Sequence, residues 1–234
     1  MSDTEQNPAE LWRALVCEAV GTFFLVLIGT GAIVVDQVSG GAIGHVGISL
    51  CFGIVVCVVI YSVGSISGAH INPAVSIGFF ATGEIGLVKL VCYILSQLLG
   101  ALVASLLVFF LFPEATGYGA TLPNETIPGT NPVVLCLVFE FVLTFILMWV
   151  ILAVTTPDHP NGSYAGLVIG LVIAMEALMG GPICGASMNP ARSIAPAVVG
   201  GQLQHLWIYL LAPVAGALAA SLVGPMVLGD RNVD

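Results

Sequence analysis

Gly185-Ala-Ser-Met-Asn189-Pro190-Ala191-Arg192-Ser193 decides the fold, because the chain carries a near copy of it at Gly68-Ala-His-Ile-Asn72-Pro73-Ala74-Val75-Ser76. Asn is a preferred N-cap, and Pro is favoured at the first helical position, where its missing N–H costs nothing. Each Asn-Pro-Ala should therefore open a helix. The apolar runs that follow, 74–81 and 193–199, are far short of the ~20 residues a helix needs to cross a hydrocarbon core. Each reads as a re-entrant half-helix, one per half of the chain.

Only 7% of the 234 residues are charged, 58% are hydrophobic and the mean hydropathy is +1.09. Soluble globular domains carry roughly 25% charged residues. The composition is that of an integral membrane protein with room for about six spans. Apolar runs at 15–35, 46–63, 87–112, 132–155, 164–179 and 206–228 are the expected spans. Residues 1–11 are polar and lack a basic segment followed by a small-residue cleavage site, so no cleaved signal peptide is expected.

The net charge of -9 sits mostly in tails and loops and gives no reason to expect nucleic acid as a partner. Arg13, Lys89 and Arg231 flank apolar segments. With six spans all three fall on one side, which the positive-inside tendency makes cytoplasmic. The expectation is a multi-pass protein of the cell membrane with both termini cytoplasmic. Cys17, Cys51, Cys57, Cys92 and Cys136 lie in apolar runs and read as small buried hydrophobes. Cys184 stands five positions before Asn189 and is expected to line the vestibule. Asn124-Glu-Thr126 and Asn161-Gly-Ser163 match a glycosylation acceptor but fall on opposite sides of the membrane, so at most one is usable.

The halves repeat each other. Glu18-Ala-Val-Gly-Thr22 is echoed by Glu140-Phe-Val-Leu-Thr144, 122 residues on. Asn72 is echoed by Asn189 after 117, and Gly100-Ala-Leu-Val-Ala-Ser by Gly216-Ala-Leu-Ala-Ala-Ser after 116. Each half holds three spans, an odd number, so the second enters the membrane upside down. Such inverted repeats place functional sites near the midplane. The expected organisation is a cytoplasmic tail at 1–11 and a first repeat at 12–112 with its half-helix after Asn72. An extracellular loop at 113–131 follows, then a second repeat at 132–228 with its half-helix after Asn189, and a cytoplasmic tail at 229–234. The fold class is all-α: six transmembrane helices plus two re-entrant half-helices in an inverted repeat.

Inversion brings the half-helices in from opposite faces, so Asn72 and Asn189 should meet near the centre. Each helix start carries roughly half a positive charge. The loops before them, 68–71 and 185–188, are non-helical backbone at membrane depth, tolerated only where buried in protein or lining a wet cavity. Carbonyl acceptors then line a path whose centre offers donors and positive potential. That suits a neutral hydrogen-bonding solute and repels a cation. Arg192, a guanidinium inside apolar sequence, is expected to project into the path and add to the barrier against protons and cations.

The paired Asn-Pro-Ala motifs, the Arg after the second, and Glu-x-x-x-Thr in spans one and four resemble the aquaporin and glycerol-facilitator (major intrinsic protein) family over essentially the whole chain. The resemblance implies a right-handed bundle with a pore in every subunit of a homotetramer. It implies a narrow filter made of Phe52, Ala177, Ala186 and Arg192. Strict water channels of the family have a His where this chain has Ala177, so the aperture is expected to be wider and less polar. Glycerol facilitators have an Asp after the Arg and two aromatics in the filter, whereas this chain has Ser193 and Phe52 alone. The run 180–188 looks like subgroups that pass ammonia or peroxide as well as water.

Glu18 and Glu140 are repeat-related carboxylates and read as hydrogen-bond anchors for the two loops. Glu176 adjoins the filter and reads as a structural or vestibule carboxylate. His70 is expected to line the cytoplasmic vestibule, while His45, His159 and His205 read as ordinary loop or helix-end residues. Gly166 and Gly170, like Gly100 and Gly216, suit close helix packing. The function expected is a passive channel for water and small neutral solutes such as ammonia, hydrogen peroxide or glycerol-like molecules, embedded in membrane lipid, with no cofactor and no metal. An ion-coupled secondary transporter is the alternative, since transporters also use inverted repeats and broken helices. No Ser/His or Asp/Asp pair suggests an enzyme.

Overall fold

Four helices begin at an Asn-Pro pair. In the computed structural model, which describes residues 7–156, 159 and 162–229, these are α1 (Pro8–Val38), α3 (Pro73–Ala81), α5 (Pro132–Val154) and α7 (Pro190–Gly200). The cap side chains are Asn7, Asn72, Asn131 and Asn189, and each accepts from the first free backbone N–H groups of its helix. The remaining helices are α2 (Gly44–Ser67), α4 (Leu87–Leu111), α6 (Ala165–Cys184) and α8 (Leu206–Leu228). No strand occurs among the described residues. Arg231, with the tail from 230, and Asn161 of the second glycosylation acceptor lie outside the described residues.

Six helical segments are long and apolar enough to cross a membrane, while α3 and α7 have 9 and 11 residues. Boundaries differ from the sequence expectation where caps or tertiary contacts extend a helix. α1 starts at Pro8, seven residues before the expected span, because Asn7 caps it as Asn72 caps α3. α6 runs to Cys184 rather than 179, continuing through Pro182.

The inverted repeat is visible in the packing. α1 lies against α4 and α5 against α8, while α2 and α6 pack on each other across the two halves. The half-helices are exchanged: α3 rests on α8 of the other half, and α7 on α4. Missing Cβ atoms allow these approaches. A Cβ at Gly100 would stand 2.0 Å from Ala19 O, and one at its repeat mate Gly216 2.3 Å from Phe141 O. Gly53 and Gly170 meet the same way across the α2–α6 contact. Thr22 and Thr144 fit inside apolar helices because each hydroxyl donates 2.7 Å to the carbonyl four residues back, that of Glu18 or Glu140.

Polarity is inverted relative to a soluble protein. Glu18, Gln97, Glu140 and Arg192 are buried, whereas Leu95, Leu99, Leu211 and Leu222 face outward. An apolar exterior around a polar interior is what hydrocarbon solvent selects.

Gly100→Ala forces a methyl into the Ala19 carbonyl and should cost about 1–3 kcal/mol, read as a lower thermal unfolding midpoint in detergent. Gly31→Ala on α1, where a Cβ meets nothing within 4 Å, should leave that midpoint unchanged.

Candidate pore and its constriction

The two half-helix starts face each other and are tied together. Asn72 Nδ2 donates to Met188 O at 2.8 Å, and Asn189 Nδ2 donates to Ile71 O at 2.9 Å. Each Asn Oδ1 is occupied by its own helix: Asn72 accepts from Ala74 N, and Asn189 accepts from Ala191 N and Arg192 N. An amide nitrogen carries two hydrogens. With one given to the opposite loop, each Asn has one left for the cavity that both line.

The loops before the Asn residues are held in an unusual conformation. Ala69, Ile71, Ala186 and Met188 all have left-handed backbone, with φ of 48°, 43°, 44° and 53°. Non-glycine residues adopt this at a cost of order 1–3 kcal/mol each. Glu18 and Glu140 supply the compensation. Glu18 Oε1 accepts from His70 N at 2.9 Å and Oε2 from Ile71 N at 2.7 Å. Glu140 accepts from Ser187 N at 2.7 Å and Met188 N at 2.8 Å. The N–H and C=O of a planar trans peptide point in opposite directions. Drawing these N–H groups back into the bundle turns the carbonyls of residues 69, 70, 186 and 187 away from the carboxylates, toward the cavity that these residues line. Ser67 Oγ and Gln97 Nε2 complete the shell of Glu18.

The cavity extends from Thr155 and Ala165, at the turn between α5 and α6, past the Asn pair to Arg192. Its other wall is apolar, made by side chains such as Val56, Ile60, Ile151 and Ile173. The space open to water in it is about 90 Å³, enough for a short file of several molecules at about 10–15 Å³ each. A second chamber lies beyond Arg192, toward the 113–131 loop. Four residues line both chambers: Phe52, Ala177, Ala186 and Arg192. They form the partition between the two.

Each partition residue is positioned from behind. The Phe52 ring fills the notch at Gly29, where a Cβ would fall 2.1 Å from it. The Arg192 guanidinium stands over the same ring, 4.9 Å from its centroid. Arg192 Nη1 donates to Gly119 O at 2.7 Å, and Arg192 Nε, fully buried, has no partner among the described residues. Arg192 is thus tied to a loop carbonyl while its side chain lines both chambers. The side chains of Ala177 and Ala186 are only methyl groups.

The 113–131 segment, expected as an extracellular loop, forms part of the wall. Besides Gly119 O, the Thr121 hydroxyl is hydrogen-bonded to Ser193 Oγ at 2.7 Å, and Asn124 N donates to Ile183 O. Tyr118, with φ 46°, and Gly119, packed on Thr30, shape this return. The run of Gly and Thr was the available signal, but it reads equally as an open turn. Asn124 Nδ2 donates to Pro182 O and Asn124 Oδ1 accepts from Thr126, so the acceptor amide is engaged within the fold.

His70 lines the first chamber, stacked on Phe79 with ring centroids 4.6 Å apart and Nδ1 3.1 Å from Ser76 Oγ. Cys184 corrects the expectation of a vestibule position. Its side chain is completely buried, its thiol turns back to Gly180 O, and Tyr209 OH donates to its carbonyl. As the last residue of α6 it faces α5 and α8, and neither chamber wall includes it. Glu176 is also buried away from both chambers, and its carboxylate oxygens have no hydrogen-bond partner among the described residues. Cys136 is buried, while Cys17, Cys51, Cys57 and Cys92 are half-buried free thiols.

Comparison with known proteins agrees with this architecture. The major intrinsic protein family matches residues 5–224. Nodulin-26 of Glycine max is 44% identical over 212 residues, which cover 90% of this chain and 76% of that protein. Aquaporin NIP1-4 of Oryza sativa subsp. japonica is 42% identical over 222 residues, covering 94% and 79%. Among solved structures, the aquaglyceroporin from Plasmodium falciparum superposes with a TM-score of 0.84 at 26% identity, covering 94% of this chain and 97% of that one. With two opposed half-helices capped by Asn72 and Asn189 around a water-sized path, the chain belongs to the major intrinsic protein family and is a membrane channel, not an enzyme.

Proposed function

We propose that the chain is a homotetrameric, multi-pass channel of the cell membrane, with both termini cytoplasmic, a pore in each subunit and the domain boundaries expected from its repeats. In this reading it conducts water together with small neutral solutes such as ammonia, hydrogen peroxide and glycerol-like polyols, and rejects protons and ions. The observation that carries the solute range is the partition: two of the four residues common to both chambers are alanines.

Rejection of cations follows from the centre. Two helix N-termini and the two Asn amides aim positive potential and donors at one point. A water accepting from both amides directs its own hydrogens away from the centre, which interrupts a hydrogen-bonded chain able to pass protons. Arg192 adds a full positive charge at the partition. In this assignment Phe52, Ala177, Ala186 and Arg192 are the filter. Asn72 and Asn189 are the central donors, His70 lies in the cytoplasmic vestibule, and Glu18 and Glu140 are the loop anchors.

Stopped-flow measurement on proteoliposomes should give fast water flux that is independent of proton and sodium gradients, with measurable glycerol, ammonia and peroxide passage. Gradient-dependent flux would indicate a coupled transporter instead. Ala177→His narrows the partition and should lower the glycerol-to-water permeability ratio roughly tenfold; an unchanged ratio removes Ala177 from the filter. A mercurial should leave Cys184 unmodified and its contribution to water flux unchanged. Inhibition that Cys184→Ser abolishes would show that the thiol reaches the water path.

A further inference from the structure

Pro182 leaves a gap in the hydrogen-bond ladder of α6 that another helix fills. A carbonyl in an α-helix accepts from the N–H four residues on, and Pro has none, so Leu178 O loses its partner. His45, at the start of α2, places Nε2 2.7 Å from that oxygen. A carbonyl only accepts, so Nε2 carries the hydrogen, and in the neutral ring Nδ1 is left as an acceptor. Gly181 makes room for the ring, since a Cβ there would stand 2.8 Å from His45 Cε1. Pro182, Gly181 and His45 thus form one device that fixes an imidazole and its tautomer against α6.

The device faces the second chamber. His45, Ser49 and Phe52 share one face of α2 at intervals of four and three residues, and all three line that chamber. Gly181, against which His45 packs, lies one helical turn beyond Ala177. Arg192 lines the same chamber, its guanidinium held in place by Gly119 O. His45 Nδ1 has no protein partner among the described residues. A space of about 160 Å³ is therefore walled by a fixed acceptor and by the guanidinium of Arg192, just outside a partition whose other side chains are a phenyl ring and two methyl groups.

We propose that His45 is a specificity-determining residue of this pore, accepting at Nδ1 a hydrogen bond from a solute whose lone pair is held by Arg192. The imidazole absent at Ala177 is supplied from α2, one turn further out. The solutes favoured are neutral molecules that carry a hydroxyl or amino hydrogen beside an acceptor atom, with polyols as the simplest class. The proposal rests on the channel reading above and concerns only the ratio between solutes.

The test compares glycerol and water permeability in proteoliposomes of the wild type, His45→Ala, His45→Gln and the double variant His45→Ala/Pro182→Ala. Loss of one neutral hydrogen bond should lower the glycerol-to-water ratio roughly threefold to tenfold in His45→Ala. His45→Gln, with an amide donor for Leu178 O and an oxygen acceptor, should recover part of it. In the double variant the alanine that replaces Pro182 returns an N–H to Leu178 O, so the helix is repaired while the acceptor stays absent, and the ratio should remain low. A wild-type ratio in the double variant would mean that His45 only caps the carbonyl, and would overturn the proposal. So would an unchanged ratio in His45→Ala, or a wild type that passes water but no glycerol. Should His45→Ala not fold, the double variant decides by itself. Wild-type water flux reads the channel assignment separately: its absence would sink that assignment.

Discussion

Everything in this structure depends on satisfying non-helical backbone inside a membrane. Where the chain leaves the helix at 68–72 and 185–189, the peptide N–H groups that face the bundle need partners there, and each unpaired group costs several kcal/mol in hydrocarbon. Glu18 and Glu140 resolve this by taking two consecutive N–H groups each. That contact holds four left-handed non-glycine residues in place. It also decides which way the carbonyls point, and so where a polar path exists at all. The Asn cross-links then join the two loops into one unit.

The halves are related, and their differences are as informative as their likeness. Ser67 donates to Glu18, while its mate Cys184 turns back to its own helix. Gln97 bridges Glu18 and Ser76, but its mate is Pro213. Glu18 therefore has the Ser67 hydroxyl and the Gln97 amide as well as backbone donors, whereas the side chain beside Glu140 is the weaker-donating Cys184 thiol. The most consequential difference is Val75 against Arg192. Among the described residues that line the path, the one fixed cation is Arg192, and the partition forms at its end. A duplicated frame makes the centre symmetric, and single substitutions make the ends unlike.

Arg192 also shows how a long connection becomes wall. A guanidinium in this setting needs acceptors, and Gly119 O provides one from the 113–131 segment. The same segment closes over the C-terminal end of α6 through Asn124 and packs on α7 through Thr121. α6 itself is extended by a contact from another helix, since His45 occupies the carbonyl that Pro182 leaves open.

The sequence by itself determined the frame. Asn-Pro caps, apolar length and the repeated Glu-x-x-x-Thr and Gly-Ala pairs are local or periodic signals, and they were enough to read six spans, two half-helices, inversion and the anchoring carboxylates. Even the early start of α1 was written in Asn7-Pro8, the same cap that marked the half-helices. Tertiary structure decided which further side chains reach the path. Cys184 and Ser187 lie three residues apart, yet one is sealed between helices and the other lines the cavity. Gly119 and His45 carry no motif, and each acts through a partner at least 73 residues away. Local sequence specifies where a helix begins and how long it runs. The walls of a pore are made where separate elements meet, and that is a property of packing.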